Sequence, residues 1–305
     1  MKIEDCLWGI DLGGTKVEGV VLGNENRKEI LFRERIPTGA EKGYAHILDQ
    51  LQKLVSAMEQ KVGHRPFRLG IGTPGTHDPL SGTMKGCNSE CLNGQTLKQD
   101  LASLLGMEIV IANDANCFAL AETQMGIVQE RFPKAQVVFG VIMGTGVGGG
   151  LVVNGKVILG LHGIGGEWGH NFLDDSGGSC YCGKSGCVET VLSGPSLETY
   201  FHSVTGQKKS LVEVYELYKI GNGPARQTIG RLTYFFGKAI SGIINIIDPD
   251  VIVVGGGVGN IEEIYTEGAV WAKKFVFNQG VLSTPIVKPK LGDSAGVFGA
   301  AYLTI

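Results

Sequence analysis

The chain has 305 residues, of which 43% are hydrophobic and 19% charged, a composition typical of a globular protein long enough for two domains. Its formal net charge of −3 gives no basic excess of the kind that nucleic-acid binding needs, so we expect no nucleic-acid partner. No run approaches the roughly 20 apolar residues that cross a bilayer, and the acidic start MKIEDC is unlike a secretory signal. We therefore expect a cytoplasmic protein without a membrane partner.

The first half of the chain alternates between strand and helix patterns. Apolar residues at helical spacing predict an amphipathic helix, whereas short apolar runs bounded by turn residues predict strands. This alternation favours an α/β fold. The expected elements are strands at 7–11, 17–22 and 30–36, a helix at 44–58, a strand at 68–72, a helix at 96–105, a strand at 108–112 and a helix from about 115 to 126.

The second half begins, at 137–143, with a pattern like that of the first. Residues 7–23 can be laid over 139–155 without a gap, each an apolar strand, a Gly/Thr turn and a returning strand. Either an internal duplication or the common form of glycine-rich hairpins explains this match. We place the domain boundary just after Asp114. The expected elements that follow are helices near 195–202, across 210–247 and at about 261–275, a strand at 251–256 and a closing segment at 296–303.

Two of the glycine-rich turns lie between strands and are candidates for phosphate binding. Glycines let the backbone curl so that several N–H groups face one anion, and Asp11 beside the first turn can hold Mg²⁺ through water. The alternative is a hairpin whose glycines serve geometry alone. The second turn matches G-x-G-x-x-G, but a β-prone run follows it, which argues against a Rossmann site. The candidate nucleotide-binding residues are Asp11, Gly13, Gly14, Thr15 and Lys16 in the first turn, and Gly144, Thr145, Gly146 and Gly148 within Gly144–Gly150 in the second.

A third glycine turn, Gly255, Gly256 and Gly257, follows the apolar run VIVV. Glycines at the carboxyl end of a strand suit the flat approach of an adenosine group. A tight turn from strand to helix is the alternative.

Asp114 is the sharpest candidate for chemistry. It follows an apolar strand, where open α/β sheets place their ligands, and Asn113 and Asn116 lie beside it. A carboxylate there can accept a hydroxyl proton while a phosphoryl group is transferred. The alternative is that Asp114 caps the following helix, and one residue can serve both purposes.

A Cys–His cluster predicts a metal site. Cys180, Cys182 and Cys187 follow His170, and three thiolates with one imidazole complete a tetrahedral Zn²⁺ shell of the structural kind. Unligated thiols beside a histidine are the alternative. Glu167 and Glu189 lie close to these ligands in sequence, so a metal that fixes the loop would also fix two carboxylates able to bind sugar hydroxyls. Solvated loop acids are the alternative for these two.

Taken together, these segments resemble the ROK family of bacterial sugar kinases and related repressors. The matching stretches are DLGGTK, NDAN, GTGVGGG, GEWGH with CYCGKSGC-VE, and VIVVGGG, in the family's order and over nearly the whole chain. The resemblance implies an actin/hexokinase-like (ribonuclease H-like) α/β fold of two domains with a central cleft, each domain holding a five-stranded mixed sheet. It also implies that about 292–305 joins residues 1–114 in a small N-terminal domain, with a larger domain at 115–291 and a homodimeric assembly.

The same resemblance implies a role for each matched residue. Asp114 would be the catalytic base, and ATP with Mg²⁺ would lie on the three glycine turns. His170 would contact the metal and the sugar through different ring nitrogens. The sugar ligands would be Asn88, Asn113, Asp114, Glu167, His170 and Glu189, and the zinc ligands His170, Cys180, Cys182 and Cys187.

The activity expected from this resemblance is ATP-dependent phosphorylation of a hexose at its 6-hydroxyl. The wording of the loops at 88–95 and 167–171 is most similar to the fructokinase/mannokinase branch. An N-acetylglucosamine or glucose kinase of the same family is the alternative. A sugar-responsive repressor is disfavoured because only ten residues precede Asp11, too few for a helix-turn-helix domain. A catalytically silent sugar-binding protein is a third possibility.

Overall fold

The computed structural model describes residues 6–23 and 27–305. Up to residue 133, strands and helices alternate as the sequence predicts. The elements of this part are β1 (Leu7–Leu12), β2 (Lys16–Gly23), β3 (Glu29–Pro37), α1 (Tyr44–Val62), β4 (Arg68–Thr73), β5 (Thr76–His77), β6 (Met84–Lys85), α2 (Leu97–Leu105), β7 (Glu108–Asn113), α3 (Asp114–Gln124) and α4 (Ile127–Arg131).

The rest of the chain repeats the opening strand pattern and then becomes mostly helical. Its elements are β8 (Val137–Met143), β9 (Val147–Val153), β10 (Lys156–Val157), α5 (Val188–Leu192), α6 (Gly194–Thr205), α7 (Leu211–Lys219), α8 (Gly223–Ile247), β11 (Val251–Gly255), α9 (Glu267–Phe275), β12 (Ile286–Val287) and α10 (Ala295–Tyr302).

The chain divides into two compact units. The first comprises Met1–Pro133, Gly150–Gly165 and Lys290–Ile305, and the second comprises Lys134–Gly149 and Gly166–Pro289. Helix α3 thus lies in the first unit, and the domain boundary after Asp114 stays a prediction.

Two five-stranded sheets share one strand order. The first runs β3-β2-β1-β4-β7 and the second β10-β9-β8-β11-β12, so that in each the third, second, first, fourth and fifth strands follow one another. The segments 7–23 and 139–155, which match in sequence, fall on the first two strands of each sheet. This shared topology favours internal duplication over chance resemblance.

Parallel pairing in the first sheet brings several polar residues to one edge. Strands β1, β4 and β7 are parallel, with Asp11 opposite Gly72 and Thr73 opposite Asn113. The carboxyl ends of parallel strands meet at the same edge, which is where such sheets bind ligands. Asp11 and the start of α3, with Asp114, therefore belong to one edge of the first sheet.

Helix α1 covers the first sheet through a single apolar stripe. Ile47, Leu51, Leu54, Val55 and Met58 are all buried, as their helical spacing predicts. Burying each such side chain contributes roughly 1.5–3 kcal/mol relative to exposure, so this stripe is what holds the helix in place.

Helix α10 packs on the first sheet almost backbone to backbone. A Cβ atom at Gly70 would lie 1.8 Å from the carbonyl oxygen of Ala300, and one at Gly9 would lie 2.3 Å from the nitrogen of Ala301. A Cβ at Gly299 would lie 1.8 Å from the carbonyl oxygen of Cys117 in α3. Only glycine permits these approaches. The C-terminal helix is thereby held against β1, β4 and α3 together.

The helix predicted at 261–275 begins later than expected. Two short 3₁₀ turns, Val258–Asn260 and Glu262–Ile264, precede α9, which begins at Glu267. The hydroxyl of Tyr265 donates towards the carbonyl oxygens of Gly259 at 2.6 Å and of Val254 at 3.1 Å. This tertiary contact holds the segment close to β11.

Helix length and apolarity bear on membrane insertion. The longest described helix, α8, has 25 residues and carries Arg226, Arg231 and Lys238. No helix among the described residues combines the length and apolarity needed to span a bilayer. The cytoplasmic location stays a prediction.

Candidate functional site

The first glycine turn joins β1 to β2, and two hydrogen bonds hold its base. The N–H of Gly13 donates to the carbonyl oxygen of Lys16 at 3.0 Å, and the buried Thr38 donates its hydroxyl to the carbonyl oxygen of Gly13 at 2.7 Å. Gly14, Thr15 and Lys16 are exposed. A turn with an anchored base and an exposed tip suits an anion such as a phosphate group, because successive backbone N–H groups of a glycine turn can face one anion.

The carboxylate of Asp11 lies between two glycines. A Cβ atom at Gly296 would lie 2.7 Å from its Oδ2, and one at Gly72 would lie 3.5 Å from its Oδ1. Burial and, to a smaller extent, the negative charges of Asp114 and Glu18 raise the pKa of Asp11 from 3.8 to about 6. A cation beside this carboxylate would offset both effects. The residue therefore fits the predicted role of holding Mg²⁺ through water.

Asn113, rather than Asp114, caps helix α3. The Oδ1 of Asn113 accepts a hydrogen bond from the N–H of Asn116 at 2.8 Å, and the helix begins at Asp114. Asp114 is thus the first residue of the helix rather than its N-cap, and its Oδ1 also accepts from a terminal N–H group, that of Ala115, at 2.7 Å. Asp114 is close enough to Asp11 for its charge to raise the pKa of that residue. The first unit therefore brings two carboxylates together at one edge of its sheet.

Asn88 lies on an exposed loop whose shape is set by a neighbour. The side chain of Asn93 accepts from the N–H of Cys87 at 2.8 Å and donates to the carbonyl oxygen of Cys87 at 3.1 Å. This paired contact fixes the backbone next to Asn88, which itself is exposed.

The second and third glycine turns meet in the second unit. Gly256 has a φ of +82°, and a Cβ atom there would lie 2.2 Å from the carbonyl oxygen of Met143, which ends β8 just before Gly144. Gly257 has open space at its Cβ position. A strand, β9, follows the second turn, so the structure confirms that this is not a Rossmann motif. The second and third turns thus lie close together, with glycine at the point of contact.

Two side chains tie the second turn to the Cys–His loop. Glu189 accepts a hydrogen bond from the N–H of Val147 at 2.9 Å through Oε2. Trp168 donates its indole N–H to the carbonyl oxygen of Gly148 at 3.0 Å and packs edge-on against Phe139. A shift of the Cys–His loop would therefore move the glycine turn as well.

The Cys–His cluster forms as predicted. The ligand atoms of His170, Cys180, Cys182 and Cys187 all lie within 4.8 Å of one another. The Sγ of Cys180 is 3.6 Å from the Nδ1 of His170, and the Sγ atoms of Cys182 and Cys187 are 3.6 Å apart. Tetrahedral zinc places its sulfur ligands ~3.8 Å apart and a sulfur and a nitrogen ~3.5 Å apart. The four side chains therefore fit a zinc ion bound through Nδ1.

The surroundings shift the pKa values of the three thiols in different directions. Burial raises the pKa of Cys187 to about 12 and also raises the pKa of Cys180, whereas the N–H of Lys184 lowers the pKa of Cys182. A bound metal reverses such burial effects, because the thiolate is its ligand.

Several contributors to these sites were missed in the sequence analysis. Thr38 and Asn93 act through backbone contacts far along the chain, and no local pattern indicates such contacts. Trp168 has a signal in its position between Glu167 and His170, but its hydrogen-bond partner depends on the fold. Tyr181, between two of the cluster's cysteines, donates to or accepts from His170 Nε2 at 2.9 Å.

Comparisons with known proteins cover nearly the whole chain. The model of the ROK family matches residues 7–305. The N-acetyl-D-glucosamine kinase of Vibrio atlanticus (strain LGP32) is 36% identical over 310 residues, with 98% of this chain and 99% of the relative covered. The ROK hexokinase of Thermus thermophilus is similar in structure, with a TM-score of 0.87 and 29% identity over 98% of this chain and 97% of the other. A ROK family glucokinase from Streptomyces griseus, solved with glucose and AMPPNP, gives a TM-score of 0.75 and 25% identity, with 98% of each chain covered.

Proposed function

The chain belongs to the ROK family, and on that premise we propose that it is an ATP-dependent kinase that phosphorylates the 6-hydroxyl of N-acetyl-D-glucosamine. The observation that supports this most is the similarity, over nearly the full length, to curated N-acetyl-D-glucosamine kinases, such as that of Vibrio atlanticus at 36% identity. The actin-like fold shared with a hexokinase and a glucokinase supports the sugar kinase class.

The choice of sugar departs from the first expectation. The residues of the loops at 88–95 and 167–171 favoured a fructose or mannose kinase. The curated relatives favour the alternative, an N-acetylglucosamine kinase. Surface loops vary readily between relatives, so agreement over whole chains outweighs the wording of two loops. Glucose is the second candidate, because the similar Streptomyces griseus glucokinase was solved with glucose bound.

Asp114 is the proposed general base. Its carboxylate accepts the proton of the sugar 6-hydroxyl while the oxygen attacks the γ-phosphorus of ATP, and the bond between that phosphorus and the β,γ-bridging oxygen breaks to release ADP. A positioned base contributes typically 10²–10⁴-fold to such a reaction. The placement of Asp114 at the strand edge, close to Asp11, supports this role.

The glycine turns are proposed to bind the nucleotide. Backbone N–H groups at Gly13–Lys16 and Gly144–Gly148 would hold phosphate oxygens, and the glycine turn at Gly255–Gly257 would lie beside the adenosine. Asp11 would hold the hydrated Mg²⁺, which neutralises charge on the phosphates. The sugar would be bound by Asn88, Asn113, Asp114, Glu167, His170 and Glu189.

The Cys–His cluster is proposed to be a structural zinc site. With four protein ligands the coordination shell is complete, which is typical of structural zinc rather than catalytic zinc. The zinc would fix the loop that carries Glu167, His170 and Glu189, and hence the orientation of all three side chains. Loss of the metal would therefore disturb these sugar ligands and lower the affinity for the substrate.

A substrate panel tests the proposal directly. ADP release is measured with N-acetylglucosamine, glucose, fructose, mannose and N-acetylmannosamine. The highest kcat/KM is expected for N-acetylglucosamine. A clear preference for fructose or mannose would restore the first expectation, and no turnover with any of them would contradict the kinase proposal.

Replacing the base gives a sharper test. Asp114→Asn keeps the shape of the side chain but cannot accept the proton, so kcat should fall by about 10²–10⁴-fold while sugar affinity changes little. Sugar binding by calorimetry and turnover are measured on the same preparation. Undiminished turnover in the variant would remove Asp114 from the mechanism.

A further inference from the structure

Tyr181 forms a hydrogen bond with Nε2 of His170, the ring nitrogen that does not face Cys180. Its hydroxyl lies 2.9 Å from His170 Nε2, and its ring meets the imidazole edge-on, with the ring centroids 5.1 Å apart and the planes at 90°. The other ring nitrogen, Nδ1, faces the Sγ of Cys180. The imidazole therefore presents Nδ1 to the cysteine cluster and Nε2 to Tyr181.

The hydrogen-bond roles follow from the metal geometry. When Nδ1 binds a metal, it carries no proton, so Nε2 carries the ring hydrogen and acts as a donor. The Tyr181 hydroxyl oxygen then accepts from Nε2. A sugar hydroxyl that binds His170 needs the same N–H and would compete for it.

The surroundings of Tyr181 are those proposed for the sugar. Partial burial and, to a smaller extent, the negative charges of Glu189 and Glu167 raise the pKa of Tyr181 to about 12, so both acids lie within electrostatic range of its hydroxyl. The residue is nevertheless 73% exposed. A largely exposed side chain can leave by rotation about its own bonds, without a change in the backbone.

We infer that the Tyr181 hydroxyl is a placeholder for a sugar hydroxyl on His170 Nε2. It accepts this hydrogen bond in the sugar-free protein and yields it when sugar binds, which makes Tyr181 a residue that sets substrate affinity. The inference rests on the proposed function, because it concerns the sugar ligand His170. Sugar binding exchanges one hydrogen bond for another at this nitrogen, so His170 adds less to affinity than an unpaired donor would.

Removing the hydroxyl tests the placeholder. Tyr181→Phe keeps the ring against the imidazole and leaves Nε2 without its acceptor. Sugar binding then no longer has to break the hydrogen bond between Tyr181 and His170. From the net contribution of one hydrogen bond, we expect the Kd for N-acetylglucosamine to fall by roughly 2- to 10-fold, with kcat and zinc content unchanged. Calorimetric titration, turnover and elemental analysis of the purified full chain measure the three quantities.

Tyr200→Phe is the matched control, since the hydroxyl of Tyr200 pairs with Gln227 at 2.8 Å rather than with His170. Its Kd should equal that of the unchanged protein. An unchanged or weaker affinity in Tyr181→Phe would overturn the inference. A loss of zinc from that variant would also overturn it, because Tyr181 would then serve to orient the metal ligand.

The titration separates this inference from the proposed function. If another hexose from the panel binds, the same comparison of Kd values is made with that hexose. A sugar that binds without being phosphorylated would contradict the kinase proposal, while Tyr181 would still be judged by its effect on binding. If no hexose binds the unchanged protein, both are overturned.

Discussion

Asp11 is a carboxylate held where its charge is unfavourable. Its pKa is raised from 3.8 to about 6 by burial first, and then by Asp114 and Glu18. The folded protein thus prefers the protonated form more strongly than the unfolded chain does. As pH rises from about 4 to about 6, the unfolded state loses this proton first, and stability falls until both states are ionised.

Asp11→Asn should therefore stabilise the nucleotide-free protein at high pH only. A shift from 3.8 to about 6 corresponds to about 3 kcal/mol, present at pH 8 and absent near pH 4. Free energies of unfolding in urea at the two pH values measure it. Asp78→Asn is the control, because pairing with Lys85 lowers the pKa of that partly buried residue to about 2, and its removal should bring no gain at pH 8. An equal gain for Asp11→Asn at both pH values would contradict the electrostatic explanation.

At the scale of single residues, the sequence indicated which side chains could carry out chemistry, but it did not indicate which contacts they would make. The spacing of the three cysteines and His170 correctly predicted a cluster, because few other arrangements need those four residues together. It could not show that Asn113 would cap α3 in place of Asp114, since both are good capping residues. Nor could it show Tyr181 at the imidazole, because that hydrogen bond exists only once the loop is folded.

Among the elements, the Cys–His loop is the one that we propose to be held by a bound ion. Its folded course relies on short backbone bridges, Phe172 with Cys187 and Ser179 with Ser185, and on Lys238 of α8, which donates to the carbonyl oxygen of Leu173 at 2.9 Å. Further backbone hydrogen bonds lie within the loop, such as those from the N–H of Cys180 to Lys184 and from the N–H of Gly186 to Gly178, each at 2.8 Å. We expect a bound metal to hold the four ligand side chains together and so to stabilise the loop further.

Removing zinc should lower both the melting temperature and the affinity for sugar. One zinc per chain is expected in the purified protein, and a chelator should remove it. Cys187→Ser should lack zinc and show no further response to the chelator. Cys91→Ser, outside the cluster, should keep zinc and respond as the unchanged protein does. Elemental analysis and thermal unfolding check these outcomes, and a purified protein without zinc would contradict them.

Elements with one apolar face were predicted well, whereas those shaped by distant contacts were not. The stripe on α1 specified both its type and its buried side, and the observed helix, Tyr44–Val62, contains the predicted 44–58. The helix expected at 261–275 is not formed over its first residues, since α9 begins at Glu267. Its pattern suits a helix, but the hydroxyl of Tyr265 bonds back to Gly259 and Val254 and holds 3₁₀ turns instead.

On the scale of the whole molecule, contacts distant in sequence complete the first unit. Glu122 in α3 is fully buried, and its carboxylate accepts from the N–H groups of Lys290 at 3.0 Å, Leu291 at 2.8 Å and Ile127 at 2.9 Å. A Cβ atom at Gly126 would collide with the same carboxylate. One side chain thus anchors the segment that leads into α10.

Glu122→Gln should destabilise the protein by about 3 kcal/mol. The amide group cannot accept from all three N–H groups, and a buried donor without a partner is costly. Glu130→Gln is the control, because Glu130 pairs with the side chain of the same Lys290 at an exposed position and should matter little. Urea unfolding compares the two variants, and equal effects would contradict the anchoring role of Glu122.

The close packing of α10 also affects the order in which the protein can fold during its synthesis. Glycines on β1, β4 and α10 reserve space for a helix that leaves the ribosome only after every residue of the second unit. Until residues 290–305 emerge, strands β1 and β4 lack the helix that covers one of their faces. Glu122 likewise lacks two of its hydrogen-bond donors, the N–H groups of Lys290 and Leu291. The second unit can therefore become native on the ribosome before the first, although the first begins earlier in the chain. A nascent chain stalled before residue 290 should need protection by a chaperone for its first sheet.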